Sequence, residues 1–154
     1  MTARILVAGV GNVFFGDDGF GVEVARRLGK ETMPLGVRVE DYGIRGLHLA
    51  FDILEGYDTV VVVDALSRGD APGTVFVLEP GEAAEAEHPN VDAHRADPAS
   101  MLEMVEHLGG KPGHVIIVGC EPEELEERMG LSASVERGVD EAVRVIRELI
   151  GGTS

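Results

Sequence analysis

Asp17 and Asp18 stand side by side in a glycine-rich stretch, Gly9-Val10-Gly11-Asn12-Val13-Phe14-Phe15-Gly16-Asp17-Asp18-Gly19-Phe20-Gly21. It follows an apolar run at 4–8 and leads into a helical pattern at 22–30. A strand therefore ends in a tight turn that delivers two carboxylates to a helix start, where open α/β sheets put their chemistry. Carboxylates there suit metal or acid–base work, because a phosphate would be repelled. Asp64 directly follows the β-branched run 60–63 and emerges at a strand's carboxyl end. His94 sits in a long polar segment just ahead of a helical pattern that opens at Pro98. If the strands before Asp18 and Asp64 are parallel neighbours, both acids open onto one edge of the sheet. A histidine from the loop then completes a set of two carboxylates and one imidazole. Such donors suit Zn, Mn, Fe or Ni and leave positions open for water or substrate.

Each residue also has a plainer use. Asp18 is placed to cap the following helix and favour its positive end. Asp17 can orient the turn, carry a proton or cap a helix. Taken alone, His94 reads as a surface histidine, and His48, His88, His107 and His114 read as structural or solvated. Other chemistries fit less well. Gly9-Val10-Gly11 begins like a dinucleotide turn, and Asp41 stands where a ribose-binding acid would. However, the third glycine of that motif would fall at Phe14, and Asp17 and Asp18 would face the pyrophosphate. No nucleotide cofactor is expected. Cys120 lacks a flanking cation and adjoins Glu121, which raises a thiol pKa, so it is a poor nucleophile. No G-x-S-x-G, H-E-x-x-H or P-loop motif occurs.

Strand-like runs at 5–8, 37–39, 59–63, 74–78 and 115–118 alternate with helical patterns at 21–30, 46–54, 98–108 and 134–150. That order predicts a parallel α/β sheet. The link at 67–73 is too short for a crossover helix, so the fourth strand is expected to run antiparallel to the third, as a hairpin. The unbroken run 60–63 reads as a central strand buried on both faces. The last helix starts at Ser132 or Ser134 and lines up Val135, Val139, Val143, Ile146 and Ile150 on one stripe. The segment 81–97 shows no periodicity, and a loop of that length tends to be functional or mobile.

With 154 residues, the chain has the size of one domain, expected over 1–154. Its charge is −15, from 28 acidic against 13 basic residues. That field repels nucleic acid and anionic membranes, so neither is expected as a partner. The acidic runs at 79–87 and 121–127 read as solvated surface, though a basic protein partner stays open. No apolar run reaches the ~20 residues of a membrane span. One cysteine and no signal-peptide pattern point to a reducing, cytoplasmic setting.

Taken together, the motifs resemble the maturation endopeptidases of [NiFe] hydrogenases. The likeness runs through I-L-V-A-G-V-G-N-V-F-F-G-D-D-G-F-G at 5–21, Asp41-Tyr42-Gly43-Ile44-Arg45-Gly46, Val62-Val63-Asp64-Ala65 and Ala71-Pro72-Gly73-Thr74. It continues at His94, at Val118-Gly119-Cys120-Glu121-Pro122 and at Gly130-Leu131-Ser132. The resemblance implies a three-layer αβα sandwich, phosphorylase/hydrolase-like. Its five-stranded sheet would be mostly parallel, with one antiparallel strand. It also implies that Asp18, Asp64 and His94 bind metal, with Asp18 and Asp64 catalytic. Relatives often carry Glu where this chain has Asp18, so this ligand is one methylene shorter. Relatives also tend to carry Asp-x-Gly-Thr where this chain has the turn at 41–46. Asp41, Gly43 and Arg45 are therefore expected in substrate recognition, with Arg45 the cation the turn offers to an acidic tail. The glycines of 9–21 are expected to let a metal-loaded polypeptide approach closely.

The implied activity is removal of a C-terminal extension from a [NiFe] hydrogenase large-subunit precursor after nickel insertion. Family cleavage follows a His or Arg near the last cysteine ligands. Nickel would be presented by the substrate, and the enzyme is expected to be a monomer. A non-catalytic maturation chaperone that holds metal or a basic peptide in the same acidic pocket is the alternative.

Overall fold

In a computed structural model the described residues are 3–83 and 98–151. Strands β1 (Ile5–Val10), β2 (Val37–Gly43), β3 (Thr59–Ala65), β4 (Val75–Leu78) and β5 (His114–Cys120) form one sheet, ordered β2-β1-β3-β5-β4. Helices α1 (Phe20–Leu28), α2 (Gly46–Ile53), α3 (Pro80–Ala83), α4 (Pro98–His107) and α5 (Ala133–Gly151) accompany it. Four strands are parallel and β4 is antiparallel, as expected.

Alternation along the strands builds the three layers. Leu6, Ala8, Val10, Val60, Val62, Val115 and Ile117 pack towards α2 and α4, where they meet Leu49, Ala50, Ile53, Met101 and Val105. Ile5, Val7, Val61, Val63, Val118 and Cys120 pack towards α1 and α5. All seven residues of β3 are buried, which explains its unbroken β-branched composition. The five residues of the expected α5 stripe are all buried. Each such side chain contributes roughly 1.5–3 kcal/mol of gross burial energy. Arg27 bridges α1 to Glu136 (2.9 Å) and Asp140 of α5, and these exposed pairs add little to the stripe's hold.

The structure corrects two expectations. β4 does not form a hairpin with β3, because β5 lies between them. The connecting segment passes over the carboxyl end of β5 and is tied there. Leu66 N–H donates to Cys120 O (3.1 Å) and Gly73 N–H to Glu121 O (2.8 Å). Glu121 is also the exception to a solvated acidic run: it is buried, and its Oε1 accepts from the N–H groups of Arg68 (2.7 Å) and Asp70 (3.0 Å). A long-range acceptor thus replaces the tight turn that a hairpin would need. Glu79 and Glu82 are exposed, as read. The segment at 81–97 opens with the end of α3, and residues 84–97 lie outside the described residues.

Glu121→Ala should leave two backbone donors without their acceptor and cost about 1–3 kcal/mol. Glu121→Gln keeps Oε1 and should cost clearly less. Urea unfolding of the two variants against the parent checks this; equal losses would show that the carboxylate oxygen does not anchor the link.

Candidate functional site

β1 and β3 are parallel neighbours, paired from Ile5↔Thr59 to Gly9↔Val63. Their carboxyl ends therefore reach the same edge of the sheet. Asp64 is the last residue but one of β3, opposite Gly119 on β5. It shares the strand parity of Val60 and Val62, which face the α2–α4 layer. Asp18 lies in a single 3-10 turn, Gly16–Gly19, between β1 and α1, and that turn packs on β3. Both carboxylates are fully buried. Asp18 Oδ2 accepts from Asn12 N–H at 2.9 Å, so the start of the glycine loop folds back onto the acid at its end. The N-cap position of α1 is taken by Gly19.

Gly11 shows why the loop needs glycine. Its φ is +139°, and an added Cβ would sit 2.0 Å from the carbonyl oxygen of Asp18. At Gly11 the close approach is made by the chain itself.

Asp17 points away from Asp18's neighbourhood and serves a separate purpose. Its Oδ2 accepts from the N–H groups of Glu123 and Glu124 and from Ser132 Oγ, all at 2.8 Å, while Oδ1 accepts from Ser132 N–H at 2.7 Å. Further bonds run alongside, from Gly16 N–H to Arg128 O and Asp17 N–H to Glu124 O, both 2.8 Å. Of the uses open to Asp17, orienting the turn is the one its bonds describe. Ser132 immediately precedes α5 and its carbonyl accepts the first helical bond from Glu136 N–H (2.9 Å), but its hydroxyl is given to Asp17.

The turn at 41–46 comes alongside. Gly43 O accepts from Gly11 N–H (2.9 Å), and the β1–β2 register slips there, with Gly9 opposite Asp41 and Val10 opposite Gly43. The slip is a β-bulge that re-aims the chain. Between the two turns lies a pocket of about 200 Å³, lined by Gly11, Asn12, Val13, Phe14, Val22, Asp41, Gly43 and Ile44. Asp41 and Arg45 are exposed. Arg45 donates to the carbonyls of Tyr42 (3.1 Å, from Nε) and Asp41 (2.5 Å), stapling its own turn.

Sequence reasoning passed over the support beneath this turn. Tyr42 is buried and donates to Asp52 Oδ2 at 2.6 Å; Arg38 reaches the same oxygen at 3.3 Å and donates to Tyr57 Oη at 3.1 Å. Burial, then the bond to the Asp52 carboxylate, raises the Tyr42 pKa well beyond the ordinary phenol range. An acid amid the apolar pattern 46–54 was the available signal.

Among the described residues no three His, Cys, Asp or Glu side chains are grouped to hold a metal ion. The third expected ligand, His94, lies outside them. Asp18 and Asp64 are the part of the set that the described structure brings to one edge, and buried carboxylates are the hard oxygen donors such an ion takes.

The family model for hydrogenase maturation proteases of the HycI type matches residues 22–149. The chain belongs to the hydrogenase maturation protease family. It is 31% identical over 145 residues to the hydrogenase 2 maturation protease of Escherichia coli, covering 93% of this chain and 88% of that one. To the hydrogenase expression/formation protein HupD of Rhodobacter capsulatus it is 30% identical over 151 residues, covering 94% and 71%. Its fold superposes on the hydrogenase maturating endopeptidase HybD from E. coli with a TM-score of 0.84 at 28% identity, over 98% and 94% of the two chains. As a member of this family the chain is a peptidase. No helix of the described residues is long and apolar enough to cross a membrane.

Cys120 plays no part as a nucleophile. It is buried at the end of β5, and burial, then the Asp17 and Glu121 carboxylates, push its thiol up to about 12.

Two measurements follow. Asp17→Asn puts an amide donor among four donors, so chemical denaturation should show a loss of about 2–3 kcal/mol; a change within error would mean that the clamp is dispensable. The Cys120 thiol has a higher pKa folded than the roughly 8.5 of an unfolded chain. The unfolded state therefore gives up this proton first, and the group's contribution to stability falls as pH rises above about 8.5 and on towards 12. Cys120→Ala should flatten the stability profile in that window, and native protein should resist alkylation at pH 8 until unfolded. Rapid alkylation of the native thiol would contradict its burial.

Proposed function

We propose that this chain cuts a C-terminal extension from the large-subunit precursor of a [NiFe] hydrogenase, and does so once nickel is in the precursor. It works as a monomer in the cytoplasm and takes no nucleotide cofactor. The observation that carries the reading is the burial of Asp18 and Asp64 at the carboxyl ends of adjacent parallel strands, in a chain of this family.

Asp18 and Asp64, with His94, are the residues that would hold a metal ion. When bound there, a metal would supply polarisation of the scissile carbonyl and a lowered pKa for a water. The nickel in this proposal is the precursor's own cargo and so belongs to the substrate. The chain's residues do the rest. Asn12 N–H fixes Asp18 Oδ2, so this carboxylate enters the reaction already oriented, at no cost in side-chain entropy when substrate arrives. The pocket between the turns, with Asp41, Gly43 and Ile44 on one wall and Phe14 on another, offers the seat for the chain to be cut. Arg45, exposed at its rim, supplies a cation for an acidic extension, while its two carbonyl bonds keep the turn in shape.

Enzyme treated with a chelator is mixed with nickel-loaded and nickel-free precursor, and the products are weighed by mass spectrometry. Loss of a C-terminal peptide from the loaded precursor alone is expected. Equal cleavage of both would overturn nickel as the recognition signal. Asp64→Asn should lower cleavage at least ~100-fold while circular dichroism and melting stay near those of the parent; a fully active Asp64→Asn enzyme would refute the site assignment.

A further inference from the structure

Helix α2 has two apolar faces. Leu49, Ala50 and Ile53 are buried in the core beneath it. Leu47 and Phe51, one turn apart on the other face, are 54% and 52% exposed, and Ile44, one turn ahead of Leu47, is 46% exposed. Ile44 is also a wall of the pocket between the two turns, and Phe14, 61% exposed, lines it with Ile44. Four large apolar side chains thus form a track that begins at the proposed cleavage pocket and runs along α2. A contiguous apolar surface of this kind marks an interaction site more often than chance exposure does.

The rim of the track says what would cover it. Asp41 lines the pocket together with Ile44, and α4, packed alongside α2, presents Glu103 and Glu106 at exposed positions. Of the nearby cations, Arg38 is paired with Glu40, Asp52 and Glu55, and Arg45 lies at the pocket end, where it is the cation offered to the extension, so the acidic edge of the track is the one that α4 forms. An apolar centre inside an acidic rim fits a partner that is apolar in the middle and basic at its edges. A second copy of this chain fits poorly, since a two-fold pair would set each acidic rim against the other in molecules of charge −15.

We propose that Phe14, Ile44, Leu47 and Phe51 dock an apolar segment of the precursor flanked by Lys or Arg, outside the peptide that is cut. The proposal rests on the reading of this chain as a precursor-processing peptidase. It separates binding from cutting: the track holds the folded precursor, and the pocket takes the extension.

Leu47→Ala/Phe51→Ala removes two exposed side chains, so the melting temperature should stay at the parent's value. The Kd for nickel-loaded precursor, measured by isothermal titration calorimetry, should rise at least tenfold, and kcat/KM should fall by a matching factor through KM. For the parent protein, the Kd should rise severalfold between 50 and 500 mM NaCl. Leu35→Ala, which alters an 84% exposed side chain ahead of the opposite end of β2, should bind as the parent does. A double variant that binds within twofold of the parent overturns the proposal. So does a parent protein that sediments as a dimer which the double variant dissolves, because the track is then a self-interface. Precursor that binds the parent tightly and loses affinity for the double variant, yet is never cut, sinks the peptidase reading while the docking surface stands. Precursor that is cut by the parent and bound equally by both proteins sinks the docking surface alone.

Discussion

The carboxylate of Asp17 is the joint between the two halves of the site's scaffold. On one side is the glycine-rich turn after β1, which has almost no side-chain packing of its own to hold it. On the other is the segment from 122 to 132, which leaves β5 and enters α5. Both are irregular backbone, and irregular buried backbone must find partners for its N–H groups. Asp17 supplies acceptors for three N–H groups and a hydroxyl at 2.7–2.8 Å. Charge-assisted bonds of this length are about twice as strong as neutral ones. The same contact settles where Asp18 lies, because the two acids are adjacent in a four-residue 3-10 turn and one of them is anchored. Asp18 can then face the site without bearing any of the strain of holding the turn.

This division of labour explains why the loop is so rich in glycine. Backbone packs on backbone, as at Gly11 against the carbonyl of Asp18, and a side chain would wedge these segments apart. A site built on such close packing is rigid, which matters for chemistry that needs donors held within a fraction of an ångström. The second strand contributes in the same manner. Tyr42, buried at the bulge and bonded to Asp52, fastens the 41–46 turn from below, while Gly43 and Gly11 join the two turns through one hydrogen bond.

Elements whose side chains repeat were legible in the sequence. The β-branched run at 60–63 gave a central buried strand, and the 135–150 stripe gave the face of α5, because burial and periodicity are local properties of a segment. Asp64 was legible as well, since it ends such a run. The partner of β4 was not. A short link suggests a hairpin, but the choice between β3 and β5 rests on Glu121 reaching back to Arg68 and Asp70 across 53 and 51 residues, and nothing in the link encodes that distance. Asp17 is the same case at longer range: it shares its motif with Asp18 and is indistinguishable from it by residue type. Only the position of Ser132, 115 residues away, separates the anchor from the site residue. Asp52 escaped notice because its partners lie on a different element.

The acidic composition conceals three different uses of one functional group. Asp17, Asp52 and Glu121 are buried acceptors that replace absent regular hydrogen bonding, each with several donors aimed at it. Asp18 and Asp64 are buried where adjacent parallel strands end, at the site proposed for the chemistry. The remaining acids lie mostly outside and set the field that an approaching protein meets. Net charge alone would assign all of them to the third class, and so would treat the fold as if it merely tolerated them. Their burial argues the reverse. A carboxylate removed from water is costly unless it is paired, hydrogen-bonded or coordinated, so the buried ones mark the positions at which the structure needs a charge. In this chain those positions are a clamp, two supports and the proposed site. Several exposed acids are paired with arginines, as Glu136 and Asp140 are with Arg27, and it is the excess of acids over arginines and lysines, 28 against 13, that sets the field at a distance.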